Sequence, residues 1–291
     1  MIVTVTANAA LDRTVHEAGA EHVQAGGKGV NVARVLHALG VPVTALVVVG
    51  GKAGARIVEE LARDGIRVRP VEAPGESRTC LERVDADARV TQVHGPGVQG
   101  SPVLAEALRA ACREIPCRWI AVCGSLAPGL PDDTAARLVE DAHGRDVRSA
   151  ADTSGGALAA VAAAGPELLR VNREELQAAL GIGPGAAPCD PRIRSVGLGV
   201  VSDGAGAVRA WCAEGRFRLH PPAVRLRNPV GCGDAMMAGL LARLDEGGDA
   251  ESALRSGVAL SAADAESPVA GRPDLKRAAA LAAAVRIERL S

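Results

Sequence analysis

Short apolar runs alternate with amphipathic segments along most of this chain. The apolar runs are four to six residues long and lie at 2–7, 44–49, 119–122, 147–151, 168–171 and 198–201. Helical periodicity fills the intervals, at 30–39, 53–64, 102–115, 132–143, 154–163 and 173–180. Continuous apolar strands separated by helices are typical of a mostly parallel sheet that is covered on both faces. The pattern therefore predicts an α/β fold.

Three further segments, 66–72, 79–84 and 89–93, alternate between apolar and polar positions. Such alternation predicts antiparallel or edge strands. A later segment, 250–265, has the pattern of another helix. No internal repeat or low-complexity linker interrupts the chain, so we expect residues 1–291 to form a single unit.

Composition narrows the possible functions. The 291 residues carry a formal net charge of −1, which offers no electrostatic basis for binding nucleic acid or an anionic membrane. No apolar run reaches membrane-spanning length, and the N-terminus has the pattern of a strand and not of a signal peptide. We therefore expect a cytoplasmic protein. The seven cysteines are scattered and lack the C-x-x-C spacing of a zinc site, which favours free thiols.

The segment 228–239, Asn-Pro-Val-Gly-Cys-Gly-Asp-Ala-Met-Met-Ala-Gly, is the most informative stretch. Gly231 and Gly233 precede an apolar run, a layout that predicts a loop leading into a helix. Backbone N–H groups at a helix N-terminus bind anions, and a carboxylate beside them, on Asp234, can take a proton from a hydroxyl. Together these groups are what phosphoryl transfer to an alcohol requires. The same residues also fit an ordinary glycine turn with Asp234 in the first helical turn.

A second glycine-rich segment, Gly26-Gly27-Lys28-Gly29-Val30-Asn31-Val32-Ala33, also precedes a predicted helix. It offers close backbone approach, one cation and one amide to a ligand. Only three of the 33 basic residues are lysines, and one of them is Lys28. The chain has only four asparagines, at positions 8, 31, 172 and 228, and all of them lie in segments singled out for other reasons.

These segments resemble the two signatures of the phosphofructokinase B (ribokinase-like) family of sugar kinases. The 228–234 segment resembles its D-T-x-G-A-G-D signature, with Asn-Pro in place of Asp-Thr and Cys232 in place of the central alanine. The 26–33 segment resembles G-G-K-G-x-N-x-A, and the whole set is closest to the 1-phosphofructokinase and tagatose-6-phosphate kinase branch. The resemblance extends from residue 2 to about 267, with the motifs in the family's order.

The resemblance implies a ribokinase-like three-layer α/β/α fold with a small β lid, its strands contributed by about 11–25 and 75–95. In the catalytic loop it implies that Asp234 is the base, and that the amides of Gly231, Cys232 and Gly233 form the anion hole. Cys232 would leave this geometry intact, and we hypothesise that it makes the enzyme sensitive to thiol reagents.

On the substrate side, the resemblance implies a pocket built from several motifs. Asp12, in a segment similar to N-P-A-L-D, would accept hydrogen bonds from sugar hydroxyls. Lys28 and Arg78 would contact the phosphate already on the substrate. The remaining residues expected at the sugar are Gly26, Gly27, Asn31 and Ser125, the last in a turn similar to S-G-S-L-P-P-G.

On the nucleotide side, 169–176 resembles V-K-P-N-x-x-E-L, which implies that Asn172 and Glu175 order Mg²⁺ and its waters around the ATP phosphates. Arg170 and Val171 replace the lysine and proline of this motif. Asn172 followed by Glu175 also fits a helix capping box, and both roles are compatible. Ser202, Gly204 and Gly206 belong to a loop that resembles the family's turn beneath ATP. Helix 250–265 would pack near the adenine.

Other nucleotide-binding folds are not indicated. The chain has no G-x-x-x-x-G-K-[ST] pattern, which argues against a P-loop kinase, and no G-x-G-x-x-G after the first strand, which argues against a dehydrogenase.

Only 13 residues separate Asp12 from Gly26, about half of the usual number in this family. The segment between Asn172 and Ser202 is also short by most of a helix. The resemblance implies a homodimer formed through the lid, and the shortened lid argues against that contact. Incomplete closure would also allow hydrolysis of ATP.

The sequence thus predicts an ATP- and Mg²⁺-dependent phosphosugar kinase. Its acceptor would be fructose 1-phosphate, tagatose 6-phosphate or fructose 6-phosphate. Two alternatives remain open: a free-sugar or nucleoside kinase of the same fold, and a non-catalytic sugar-phosphate sensor.

Overall fold

The structure is a computed structural model that describes residues 1–17 and 19–290. The strands are β1 (Ile2–Thr6), β2 (Ala10–His16), β3 (Glu21–Gly26), β4 (Val43–Val49), β5 (Arg67–Glu72), β6 (Arg78–Val84), β7 (Val90–His94), β8 (Trp119–Cys123), β9 (Arg148–Asp152), β10 (Leu168–Asn172), β11 (Leu198–Ser202), β12 (Val208–Cys212), β13 (Gly215–His220) and β14 (Arg286–Leu290). The helices are α1 (Lys28–Ala38), α2 (Gly51–Arg63), α3 (Pro102–Arg113), α4 (Thr134–His143), α5 (Gly155–Ala164), α6 (Arg173–Leu180), α7 (Cys232–Asp245), α8 (Ala250–Ala265) and α9 (Leu275–Ala282).

Ten strands form a central sheet in the order β14-β13-β12-β11-β10-β9-β8-β1-β4-β5. Neighbouring strands from β5 to β11 run parallel, and the three pairs between β11 and β14 are antiparallel. The carboxyl ends of the parallel strands therefore meet at one edge, where the motifs at the ends of β8, β9, β10 and β11 come together.

Helices cover both faces of this sheet, as the continuous apolar strands predict. One apolar core lies between the sheet and α1, α2, α7, α8 and α9, and the other between the sheet and α3, α4, α5 and α6. Both cores consist mostly of Val, Leu, Ile and Ala. This arrangement holds the N-termini of α1 and α7 over the same edge of the sheet.

The lid is a four-stranded sheet in the order β3-β2-β6-β7. β2 pairs parallel with β6, whereas β2–β3 and β6–β7 are antiparallel hairpins. β2 ends at His16 and β3 begins at Glu21, so the short segment after Asp12 is long enough for two paired strands. The other short segment lies between Asn172 and Ser202. After α6 it contains a single turn of 3₁₀ helix at Ala187–Cys189.

The structure contains elements that the apolar pattern did not indicate. These are the antiparallel strands β12, β13 and β14, the helix α9, and the lid strands β2 and β3, which only the resemblance implied. β14 is an edge strand and is mostly exposed, so it lacks the apolar run by which the buried strands were recognised. β5 is also an edge strand, as predicted, and pairs parallel with β4. Within the described residues no helix is long and apolar enough to cross a membrane.

Candidate active site

The glycine turn at 228–233 leads directly into a helix. Gly231 is the N-cap of α7 with φ 89°, in the left-handed region that favours glycine. Val230 N donates to Asn228 Oδ1 at 2.9 Å, which holds the incoming chain. The first N–H groups of a helix have no intrahelical acceptor, so those of Cys232 and Gly233 are available to an anion.

Asp234 lies in the first turn of α7, and its side chain is buried, with 5% of the residue exposed. Its Oδ2 accepts a hydrogen bond from Asn31 Nδ2 at 2.8 Å. Burial, aided by the charge of Asp152, raises the pKa of Asp234 to about 7, against the opposing effects of Lys28 and Asn31. A carboxyl group with such a pKa gains and loses its proton near neutral pH, which suits a general base.

Cys232 does not have the environment of a reactive thiol. Burial and the charge of Asp264 raise the pKa of the Cys232 thiol well above its ordinary range. The thiolate is the nucleophilic form, so this environment opposes reaction. The raised pKa argues against the hypothesis that Cys232 makes the protein sensitive to thiol reagents, although the side chain is only half-buried.

Asp12 lies on β2, on the side of the lid that carries the glycines of the first motif. A Cβ on Gly26 would lie 1.8 Å from Asp12 Oδ2, so only glycine leaves room for this carboxylate. The backbone N–H of Gly27 donates to Asp12. Burial and the neighbouring Glu82 raise the pKa of Asp12 to about 6, whereas Arg78 lowers it.

Arg78 begins β6, where it lies beside Ala10 of β2. Its Nε is buried, and within the described residues it has no hydrogen-bond partner. Buried donors are almost always paired in native proteins, so this unpaired Nε is free to donate to a ligand.

Lys28 links the glycine-rich motif at 26–33 to the segment 169–176, which is expected to bind the nucleotide. Its Nζ lies 2.7 Å from Asp152 Oδ1 and 2.7 Å from Glu175 Oε1. Burial disfavours the charge, but Asp152 and Glu175 outweigh it and raise the pKa of Lys28 above its ordinary value. Lys28 is therefore a permanent cation between α1 and α6.

Asn172 and Glu175 form the capping box of α6. Glu175 N donates to Asn172 Oδ1 at 2.7 Å, and Asn172 N donates to Glu175 Oε2 at 3.1 Å. The capping interpretation is thus confirmed. Because Glu175 also binds Lys28, the Glu175 side chain both caps α6 and faces the candidate site.

Asp152, which is 1% exposed, lies between two cations at the carboxyl end of β9. Besides Lys28 it accepts a hydrogen bond from Arg170 Nη1 at 2.9 Å, and Arg170 Nη2 donates to Ser202 Oγ at 2.7 Å. Burial opposes ionisation, but Lys28 and Arg170 hold the pKa of Asp152 below its ordinary value. A Cβ on Gly233 would lie 2.3 Å from Arg170 Nη1, so this guanidinium packs directly against the first turn of α7.

Ser125 lies in the turn after β8, directly after Gly124, where a Cβ would lie 3.7 Å from Lys28 Cβ. Gly124 N donates to Asp152 O at 2.7 Å, and Thr153 Oγ1 donates to Gly124 O at 2.8 Å, which fixes this turn to β9. Within the part of the chain that the structure describes, no side-chain hydrogen bond joins Ser125, Gly204 or Gly206 to the other predicted site residues.

A cavity of about 770 Å³ opens beside the N-terminus of α7, where Cys232 and Gly233 line it. Its polar wall includes Ser202 and Gly204, and α8 contributes Val258, Ser261 and Ala262. Its apolar wall comes from β12, the segment after β13 and α7, through Val208, Pro221, Pro222, Ala223, Val224, Leu226 and Met236. Helix 250–265, predicted to pack near the adenine, contributes to the wall of this cavity, whereas the apolar wall was not anticipated.

Two buried residues at this site were not singled out by their sequence. Asp152 directly follows a predicted apolar strand, and an acidic residue at that place in a parallel sheet is a signal that could have identified it. Arg34, one helical turn after Asn31, carried no such signal among 33 basic residues.

Comparison with known proteins places this geometry in a family. The profile of the pfkB family carbohydrate kinases matches residues 2–277. The chain is 34% identical to the 1-phosphofructokinase of Rhodobacter capsulatus, over 99% of this chain and 98% of that protein. It is 35% identical to the 1-phosphofructokinase of Xanthomonas campestris pv. campestris, over 97% of both.

The structure is similar to that of phosphofructokinase-2 from Escherichia coli in complex with potassium. The TM-score is 0.88 at 27% identity, with 97% of this chain and 98% of that chain covered. The three layers, the mostly parallel sheet and the separate lid are thus those of the ribokinase-like fold. The chain belongs to the pfkB family of carbohydrate kinases.

Proposed function

We propose that this protein transfers the γ-phosphoryl group of ATP to a hydroxyl of fructose 1-phosphate, with Asp234 as the general base. The observation that carries this proposal is the position of Asp234, buried in the first turn of α7 beside the free amides of 232 and 233. Asp234 takes the proton of the sugar hydroxyl while the oxygen of that hydroxyl attacks the γ-phosphorus. The bond to the β-phosphate oxygen breaks, ADP leaves, and the amides stabilise the transferring group.

Sugar hydroxyls bind between the lid and α1 in this proposal. Asp12 accepts from two of them, and the glycines at 26 and 27 allow the sugar to approach the backbone. Asn31, already bonded to Asp234 at 2.8 Å, sets the position of the base relative to the sugar. Ser125, in the turn after β8, contributes a further hydroxyl contact to the sugar.

The phosphate that the acceptor already carries binds to Arg78. Its buried and unpaired Nε offers a charge-assisted donor, and a guanidinium fork matches a phosphate dianion. Lys28 is held by two carboxylates, so it acts on phosphate as a fixed charge.

The large cavity receives the nucleotide, with the adenine against α8 and the phosphates toward Ser202, Gly204 and Gly206. The donor chemistry of Asn172 and Glu175 fits Mg²⁺, which prefers oxygen ligands and retains several waters. No cluster of three or more His, Cys, Asp or Glu side chains forms a metal cage in 1–17 and 19–290, so these two residues would act through water. When bound, the ion neutralises charge on the phosphates.

The acceptor is tested by ADP release in a coupled assay with ATP, Mg²⁺ and a panel of sugars. We expect the highest kcat/KM with fructose 1-phosphate, since two relatives aligned over nearly their full length are 1-phosphofructokinases. A preference for fructose 6-phosphate or tagatose 6-phosphate would reassign the acceptor. Turnover of fructose, ribose or adenosine, without turnover of any phosphosugar, would contradict the assignment as a phosphosugar kinase. Binding of phosphosugar without turnover would indicate a sensor.

Removal of the Arg78 guanidinium should raise the KM for phosphosugar. We expect Arg78→Met to increase it by about 10²-fold, the loss of one charge-assisted contact, with a smaller effect on kcat. Arg83→Met is the matched control, because Arg83 lies on the same strand with its side chain exposed. An unchanged KM in Arg78→Met would place the acceptor's phosphate elsewhere.

A further inference from the structure

Arg34 is a buried arginine that contacts no substrate group in the proposed mechanism. It lies three residues after Asn31 on α1, so both side chains are on the same face of the helix. Only 5% of it is exposed, and each nitrogen of its guanidinium has a protein acceptor. Nη1 donates to Asn31 Oδ1 at 3.0 Å, Nη2 to Ala25 O at 2.8 Å, and Nε to Asp64 Oδ2 at 3.2 Å.

The contact with Asn31 determines which end of its amide faces the base. With Oδ1 bound to Arg34, Nδ2 points to Asp234 and donates to it. A rotated amide would turn its NH₂ group toward the guanidinium, where two donors would face each other. It would also present its oxygen to Asp234, and only a protonated carboxyl could bond to it.

The contact with Ala25 links the same guanidinium to the lid, since Ala25 lies on β3. A parallel connection runs through Arg272, whose Nη2 donates to Asp64 Oδ2 at 3.0 Å and whose Nε donates to Gln24 Oε1 at 3.2 Å. Arg272 binds the same carboxylate and the same lid strand as Arg34, but within the described residues no hydrogen bond joins it to Asn31.

We propose that Arg34 is a positioning residue that locks the Asn31 amide with its NH₂ group toward Asp234 and couples this orientation to lid strand β3. The inference rests on the proposed role of Asp234 as the base. Arg34 favours the ionised base, because the locked amide can donate to a carboxylate but cannot accept from a carboxylic acid.

The charges around both groups remain when Arg34 is replaced. The titratable groups that act on Asp234 are Asp152, Lys28, Arg170, Cys123 and Cys232. The titratable groups that interact electrostatically with Arg34 are Asp64, Asp12, Asp264 and Arg272. A displaced pH profile in an Arg34 variant would therefore report the amide or the guanidinium charge itself, and a lysine variant separates the two.

The first test compares three variants by kcat, KM and the pH dependence of kcat/KM. We expect Arg34→Met to lower kcat by about tenfold or more, as for a misplaced catalytic group, and to move the acid limb to higher pH. Arg34→Lys retains the charge but cannot reach three fixed acceptors, so we expect a similar loss. Arg272→Met, the matched control, should keep kcat within about twofold. Full rescue by lysine, or an equal loss in Arg272→Met, would overturn the proposal.

A double-mutant cycle decides whether Arg34 acts through Asn31. In an Asn31→Ala background, Arg34→Met should cause no further loss of kcat. An additive loss would show that Arg34 acts by another route. Thermal unfolding of each variant identifies one that fails to fold, in which case the lysine variant carries the test. If Asp234→Asn retained activity, the base assignment itself would fail, a result that is distinct from an additive cycle.

Discussion

Asp234→Asn should lose phosphoryl transfer by about 10³-fold in kcat while it still binds phosphosugar and nucleotide. The variant retains the shape of the side chain and removes only the group that accepts the proton. Coupled ADP release and equilibrium binding measure the two effects separately. Asp245→Asn, the same change at the other end of α7, should leave kcat unchanged. A kcat within about tenfold of wild type in Asp234→Asn would place the base elsewhere.

The same substitution should stabilise the protein at alkaline pH. In the folded chain burial raises the pKa of Asp234 to about 7, whereas the pKa of an aspartate in the unfolded chain is about 3.9. As the pH rises between these values, the unfolded chain releases the proton and the folded chain retains it, so the folded state loses stability until about pH 7.

Asp234→Asn lacks this titration. Its melting temperature should therefore exceed that of wild type by more at about pH 8.5 than at about pH 5. The kcat/KM of wild type should fall as the pH drops below about 7, where the base becomes protonated. A melting-temperature difference that does not depend on pH would contradict the raised pKa.

Gly231→Ala should reduce both activity and stability. At φ 89° an alanine is strained, and its Cβ would lie 2.7 Å from Gly271 N and 2.8 Å from Asp264 Oδ2. Because the amide of Gly271 is backbone, the turn must move, and the amides of the anion hole move with it. We expect kcat to fall by about 10²-fold or more, comparable to the loss of an oxyanion donor.

Gly247→Ala separates strain from crowding. Gly247 follows α7 with φ 86°, nearly the same φ as Gly231, but a Cβ there meets nothing within 4 Å. This control should lower the melting temperature and leave kcat near wild type. Equal losses of kcat in the two variants would mean that the crowded contact with the 264–271 segment does not position the anion hole.

The sequence predicted the layers of this fold because their signal is local. Apolar runs at β1, β4, β8, β9, β10 and β11 are continuous, and a helix is the next element after β4, β8, β9 and β10, so the parallel sheet could be inferred from periodicity alone. β12, β13 and β14 were missed because antiparallel and edge strands depend on their partners more than on their own pattern. The resemblance identified the candidate residues of the motifs but not how their side chains pair.

The sequence by itself determined the motifs of the candidate site: a glycine turn before Asp234, a glycine pair before Lys28 and a capping box at Asn172. These depend on residue types at short spacing, which local conformation requires. Only the tertiary structure decided the partners, since Lys28 meets Asp152 and Glu175 across 124 and 147 residues, and Asn31 meets Asp234 across 203. It also decided the raised pKa of Asp234, because burial and neighbouring charge arise only when distant segments pack together.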